Sequence, residues 1–189
     1  SAFSGGYGLE GNTLSGGDNG YLAEGYVNVP LTDTMAIRLV GWARQDAGFI
    51  DNVLFERTFV STVESLPGET NTRTPITTSN ADRVEDNYNK AETYGARAAL
   101  RIDLNDSWTL TPSVMAQKQT PDGAFGADRT LGENKVGHFY PEDTDDQWVQ
   151  AALTVEGRVG SFDMVYTASY LDRDVDSNSD YADYSYWYD

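Results

Sequence analysis

The run Asp172-Arg173-Asp174-Val175-Asp176-Ser177-Asn178-Ser179-Asp180 sets carboxylates at alternate positions. Acids at that spacing open calcium-binding loops, whose alternate side chains turn toward one ion. Such a loop also wants glycine at its sixth position and a bidentate glutamate at its twelfth, where Ser177 and Asp183 stand. Asp172, Asp174 and Asp176 are therefore candidate calcium ligands, beside the plainer reading of an acidic surface loop. Glu142-Asp143-Thr144-Asp145-Asp146 supports the same two readings. Divalent ions held at either cluster could bridge to lipopolysaccharide, and no other cofactor is implied. His138 is the one histidine and there is no cysteine. A His-rich or thiolate metal centre is excluded, and so is a disulfide framework. Any Ser-His-Asp triad would have to run through His138, which reads as a solvated loop residue. Nothing singles out two of the 30 acids as a glycosidase pair. No enzymatic activity is expected.

The composition narrows the class further. In 189 residues there are 30 acids and 13 bases, a net charge of −17. Nucleic-acid binding needs a basic face and is not expected. No stretch approaches the roughly 18 apolar residues of a membrane-crossing helix, a test to which β-barrel strands are blind. No charged and then apolar leader follows Ser1, so the chain reads as mature, as cut from something longer, or as both.

Seven segments alternate with the period of a strand. They cover residues 3–12, 20–29, 35–44, 94–104, 108–117, 147–156 and 161–171. The third sets Met35, Ile37, Leu39, Gly41 and Ala43 on one face and Ala36, Arg38, Val40, Trp42 and Arg44 on the other. In all seven, the apolar parity carries no Asp, Glu, Lys or Arg. Pro112 offers no ladder donor, so a bulge or gap is expected around it.

The connections alternate as well. Short breaks at 30–34, 105–107 and 157–160 separate long ones at 13–19, 45–93, 118–146 and 172–183, and all the long ones leave from one end. Residues 46–92, 118–146 and 172–189 carry −5, −4 and −5, so the strands are nearly neutral. An outer-membrane β-barrel has this arrangement of short periplasmic turns and long external loops. Charge on a lipid face costs roughly 2–4 kcal/mol at the midplane for Arg or Lys. The expected fold is all-β: an antiparallel up-and-down transmembrane barrel segment of seven to eight strands, apolar parity toward lipid, arginines inside. On that assignment Trp42, Arg44, Arg97, Gln117, Trp148 and Gln150 face the lumen near the loop end, with Arg97 at a level similar to Arg44. They are the candidate ligand-binding residues, suited to an anionic, flat or sugar-like solute. The alternative is a secreted acidic β-sandwich that binds carbohydrate, with or without calcium.

Three stretches carry a resemblance: FSGGYGLEGNT (3–13), GYLAEGYVNVPLTDTMAIRLVGWARQDAGFIDN (20–52) and YGARAALRIDLNDSWTLTPSV (94–114). They resemble the first barrel strands of TonB-dependent outer-membrane receptors. The resemblance implies import of a scarce, bulky nutrient such as a siderophore, vitamin or oligosaccharide. It also implies energy delivered by the TonB complex through a plug domain, and a place in the Gram-negative outer membrane. The chain departs from the family pattern in having neither a plug domain nor a closing aromatic strand. The expectation is the front part of a larger barrel, 1–189, forming an open sheet. The Tyr-rich run 181–189 reads as the approach to an eighth strand.

Overall fold

A computed structural model describes residues 2–59 and 75–182. Over these residues the chain is all-β, with no α-helix. The strands are β1 (Ser4–Thr13), β2 (Asn19–Pro30), β3 (Met35–Asp46), β4 (Asp51–Asn52), β5 (Glu56–Phe59), β6 (Ile76–Ser79), β7 (Ala91–Asn105), β8 (Trp108–Pro121), β9 (Lys135–Val136), β10 (Asp143–Val159) and β11 (Phe162–Asn178). Seven of them form one sheet in the order β1-β2-β3-β7-β8-β10-β11. Every pairing in it is antiparallel. The seven alternating segments are these seven strands.

Several strand ends differ from expectation: β7 begins at Ala91 and not at 94, β8 continues to Pro121 past 117, and the last two strands differ most. The sixth and seventh segments are longer than 147–156 and 161–171, each running 17 residues. Residues 172–178 are therefore strand, not external loop. Carboxylates at alternate positions are what one face of a strand looks like, so the calcium-loop spacing had a second meaning. The Tyr-rich run lies, from 183 on, outside the described residues.

The tight ends are made by local chemistry. Leu31 N–H and Thr32 N–H both donate to the Met35 carbonyl, at 2.9 and 3.1 Å. Ser107 N–H donates to the Asn105 side-chain oxygen at 2.9 Å, an Asx turn. Gly160 closes the β10–β11 hairpin at φ 62°, a conformation that favours glycine. The β7–β8 ladder skips from Ala99–Ser113 to Ile102–Leu110, leaving a gap beside Pro112 as its missing N–H requires.

The sheet is open and single-layered. No pairing joins β1 to β11, and no second large sheet covers it among the described residues. The buried apolar residues described are Ile50, Ala91 and Val136, all at the loop end. On β8, β10 and β11 the apolar face is bare, with Val114, Val149, Leu153 and Tyr170 exposed, whereas on β2 and β3 Val27, Val29 and Ile37 are half-buried and Tyr26 and Arg38 on the other face exposed. On β8 and β10 the opposite residues Met115, Gln117, Trp148 and Gln150 are half-buried. A soluble half-buried sheet shows the reverse, with apolar residues in and polar residues out.

The edge of the apolar face runs on a diagonal. Ala23, Ala43, Tyr94, Lys118, Gln147 and Asp174 lie opposite one another in one hydrogen-bonded row. Going toward the loops, the first polar residue on this face is Asn19 on β2, Gln45 on β3, Glu92 on β7, Lys118 on β8, Gln147 on β10 and Asp172 on β11. Relative to the row, the border descends from four residues above on β2 to two below on β11. That is about 20 Å along the strands over about 24 Å across them, using roughly 3.3 Å per residue and 4.8 Å per strand. The slope is about 40°. The border at the turn end is roughly parallel. It drops from Met35 on β3 to Val159 and Phe162, four residues below the row Met35–Ile102–Leu110–Val155–Tyr166. Tyr21, Tyr94 and Tyr170 sit at the upper border, Trp108 and Phe162 at the lower one.

The long connections fold onto one another at the loop end. β4 pairs with β9, and β5 with β6. The centre of this cluster is polar. Asn80 is fully buried. Its oxygen accepts from Phe55 N–H at 2.7 Å, and its amide donates to the carbonyls of Val53 and His138 at 2.8 and 3.2 Å. Asn52 is buried beside it, and Asn89, also buried, accepts from the N–H groups of Phe49 and Ile50. These asparagines supply the partners that irregular backbone lacks.

Candidate functional site

The strand register groups the six candidate ligand residues on the polar face of the sheet. Trp42, Gly95, Gln117, Trp148 and Arg173 share one row. One residue pair toward the turns, Val40, Arg97, Met115 and Gln150 share the next. One pair toward the loops, Arg44 is opposite Thr93, Thr93 opposite Gln119, and Gln119 opposite Asp146. Arg97 thus stands level with Val40, two rows below Arg44, and not at Arg44's height as expected. A long loop between β3 and β7 hides the register, which only the pairing fixes.

Trp42 and Trp148 stand on β3 and β10, three strand steps apart, or about 14 Å at 4.8 Å per step. Between them lie Gly95 and Gln117. Any Cβ at Gly95 would collide with the six-membered ring of Trp42 and come within 2.6 Å of the Ala116 carbonyl oxygen. A mid-strand glycine weakens a strand and often marks a close approach. Here the close approach is the Trp42 indole, laid over the gap in side chains. A cavity of about 830 Å³ opens at this row, lined by Trp42, Gly95, Gln117, Trp148 and Arg173 with their strand neighbours.

The cations of this face differ in their commitments. Arg44 donates to Asp46 at 2.8 and 2.6 Å. Arg173 grips both carboxylate oxygens of Asp146 at 2.8 and 2.6 Å. Arg38 lies over the Tyr26 ring, 4.0 Å from its centroid, and donates to Asn28. Arg97 has no hydrogen-bond or ion-pair partner among the described residues. Arg44, expected to meet a ligand, is occupied internally, and Arg97 is the uncommitted charge.

The acidic candidates do not converge. Asp172, Asp174 and Asp176 alternate along β11 on its apolar-parity face, opposite Val149, Gln147 and Asp145. Same-face neighbours in a strand stand roughly 6.6 Å apart, too far to wrap one ion. Among the described residues no cluster of three acids or histidines is placed to hold a metal.

His138 departs from the expectation of a solvated residue. Its Nδ1 contacts Glu142 and lies 3.2 Å from the Tyr88 hydroxyl, which donates to Glu142 at 3.1 Å. Asp180 N–H donates to the other Glu142 oxygen at 3.3 Å, and Asp180 in turn accepts from Phe139 N–H at 2.6 Å. Burial, then the charge of Glu142, pushes the Tyr88 phenol up to about 12, opposed by the Ala124 N–H that bonds its oxygen. Burial likewise raises the carboxyl of Asp122, which lines a polar cavity of about 540 Å³ with Tyr88, Glu85 and Glu142. Nothing local in the sequence announced this network, since its members come from three separate loops.

No protein-family profile, curated protein or solved structure matches the chain.

Proposed function

We propose that this chain forms part of the wall of a TonB-dependent outer-membrane receptor, with its apolar face toward lipid and its polar face toward the lumen. The receptor imports a scarce, bulky solute of the siderophore, vitamin or oligosaccharide kind with energy supplied through a plug domain. The observation that carries the membrane reading is the slanted apolar band. Its borders run at about 35–40° to the hydrogen-bonded rows, and strands of membrane barrels tilt by roughly 35–45°. On β3, β7, β8, β10 and β11 the band spans 9 to 11 residues. At that tilt it stands roughly 25 Å tall, the height of the apolar belt of such barrels. Aromatic residues at both borders fit the interfacial girdles. Unpaired edges are not tolerated in hydrocarbon, so β1 and β11 take partner strands from outside the described residues. The TonB-dependent class itself rests on the resemblance of residues 3–13, 20–52 and 94–114. Import is favoured by the aromatic and cationic groups that the polar face offers, among them Trp42, Trp148 and Arg97.

The test is assembly of the full-length protein in outer membranes, read as heat-modifiable migration in gels. Leu39→Arg and Leu100→Arg place charge in lipid and abolish the folded band. Val40→Arg, on the lumen face, retains it. Equal assembly of all three contradicts the facing.

A further inference from the structure

The polar-face cavity deepens that reading, on whose lumen assignment it rests. We infer that the trough between Trp42 and Trp148 binds one ring of a ring-bearing carboxylate, with the ring stacked on Trp42 and the carboxylate on Arg97. Three observations converge. The Trp42 ring occupies the space that any side chain at Gly95 would need, so it already lies across the neighbouring strand when a ligand arrives. A platform set in advance costs little ordering on binding. The cavity beside it, about 830 Å³, falls within the size of small-molecule sites. Trp148 bounds it on the far side and Gln117 lies between, offering both a donor and an acceptor.

Charge then selects the ligand. Arg97 follows Gly95 by two residues on the same strand, hence on the same face and roughly 6.6 Å along it. Arg97 stands outside the cavity lining, one row toward the turns, and an arginine side chain is long enough to span that distance. It is the cation of this face without a protein partner among the described residues, whereas Arg44 and Arg173 are held by Asp46 and Asp146. A guanidinium with no internal carboxylate is available for a bidentate bond to a ligand carboxylate. In a chain of net charge −17, anions reach such a face only against general repulsion, so one uncommitted arginine favours a specific contact over diffuse attraction. A sugar acid and an aryl carboxylate share the chemistry of a flat or stackable ring bearing a carboxylate.

The experiment titrates the full-length protein in detergent by tryptophan fluorescence, after heat-modifiable migration has verified assembly. The probes are trigalacturonate for the sugar acids, salicylate for the aryl carboxylates and maltotriose as a neutral ring compound. Saturable quenching is expected from at least one carboxylated probe. Trp42→Ala and Arg97→Gln each weaken it at least tenfold. Gly95→Ala, read where it still migrates as a folded barrel, weakens it comparably while keeping both indoles, because the added Cβ crowds Trp42 as well as the Ala116 carbonyl. Maltotriose binds at least tenfold more weakly than the better carboxylate, and Arg97→Gln leaves its binding unchanged. The inference is overturned if neither carboxylate quenches the assembled protein, or if the variants bind within twofold of the parent. Failure to migrate as a folded barrel contradicts the lumen assignment instead.

Discussion

Tyr88 shows how a single side chain can tie the loop cluster to pH. Its hydroxyl accepts from Ala124 N–H at 3.1 Å and donates to Glu142, while burial opposes its ionisation. An unfolded tyrosine ionises near pH 10, whereas here the value is about 12. Between those values the folded state holds a proton that the unfolded state has lost. The contribution of Tyr88 to stability is therefore intact below pH 10 and falls as pH rises toward 12. The absorbance at 295 nm of the parent minus that of Tyr88→Phe isolates this one phenol. It should titrate with a midpoint near 12, and a midpoint near 10 would mean that the site is open to water. The sequence could not signal this residue, because its partners lie 36 and 54 positions away. Gly95 was closer to legible. A glycine inside an otherwise regular alternating strand calls for a reason, and the reason is a tryptophan one strand away.

At the scale of elements, the strands were legible and the loops were not. Alternation is a local signal, and each of the seven long strands carries it in its own residues. The ends of β10 and β11 were missed because they continue in acidic residues, which look like loop when apolar alternation is the criterion. The 45–93 connection hides β4, β5 and β6, whose order comes from side chains meeting across sequence. Asn80 is the clearest case. It bonds Phe55, Val53 and His138 from full burial, and asparagine in a loop is ordinarily read as a turn former. Asn80→Ala should leave Phe55 N–H and the Val53 carbonyl without partners, at roughly 1–3 kcal/mol for each buried group. The expected result is loss of hydrogen-exchange protection at 52–56 and 135–138, with β7, β8 and β10 still protected. Loss of protection in the sheet as well would mean that loops and sheet form one cooperative unit.

On the scale of the whole molecule, the open sheet, its bare apolar face and the tilt of the apolar band belong together. A sheet this exposed on the face of Leu39, Val114, Leu153 and Tyr170 lacks any protein layer to pack on among the described residues. That one face of the sheet is free of charge within the seven alternating segments was readable from the parity of the strands. The tilt was not, since it needs the register of strands joined by long loops. Which arginine is uncommitted was the least legible feature, because Arg44 and Arg97 look alike until Asp46 is seen to occupy one of them. The most direct test of the membrane-wall account uses nitroxides placed singly on the full-length protein in bilayers. Positions Ala43, Ala98, Val114 and Ala151 sample the band, while Gln45, Lys118, Gln147 and Asp174 sample the ground above its slanted border. Ala43, Lys118, Gln147 and Asp174 share one row. The account predicts relaxation dominated by oxygen at the first four and by a water-soluble nickel chelate at the second four, so that accessibility changes along a single hydrogen-bonded row between Ala43 and Lys118. Nickel-dominated relaxation at all eight positions would contradict it.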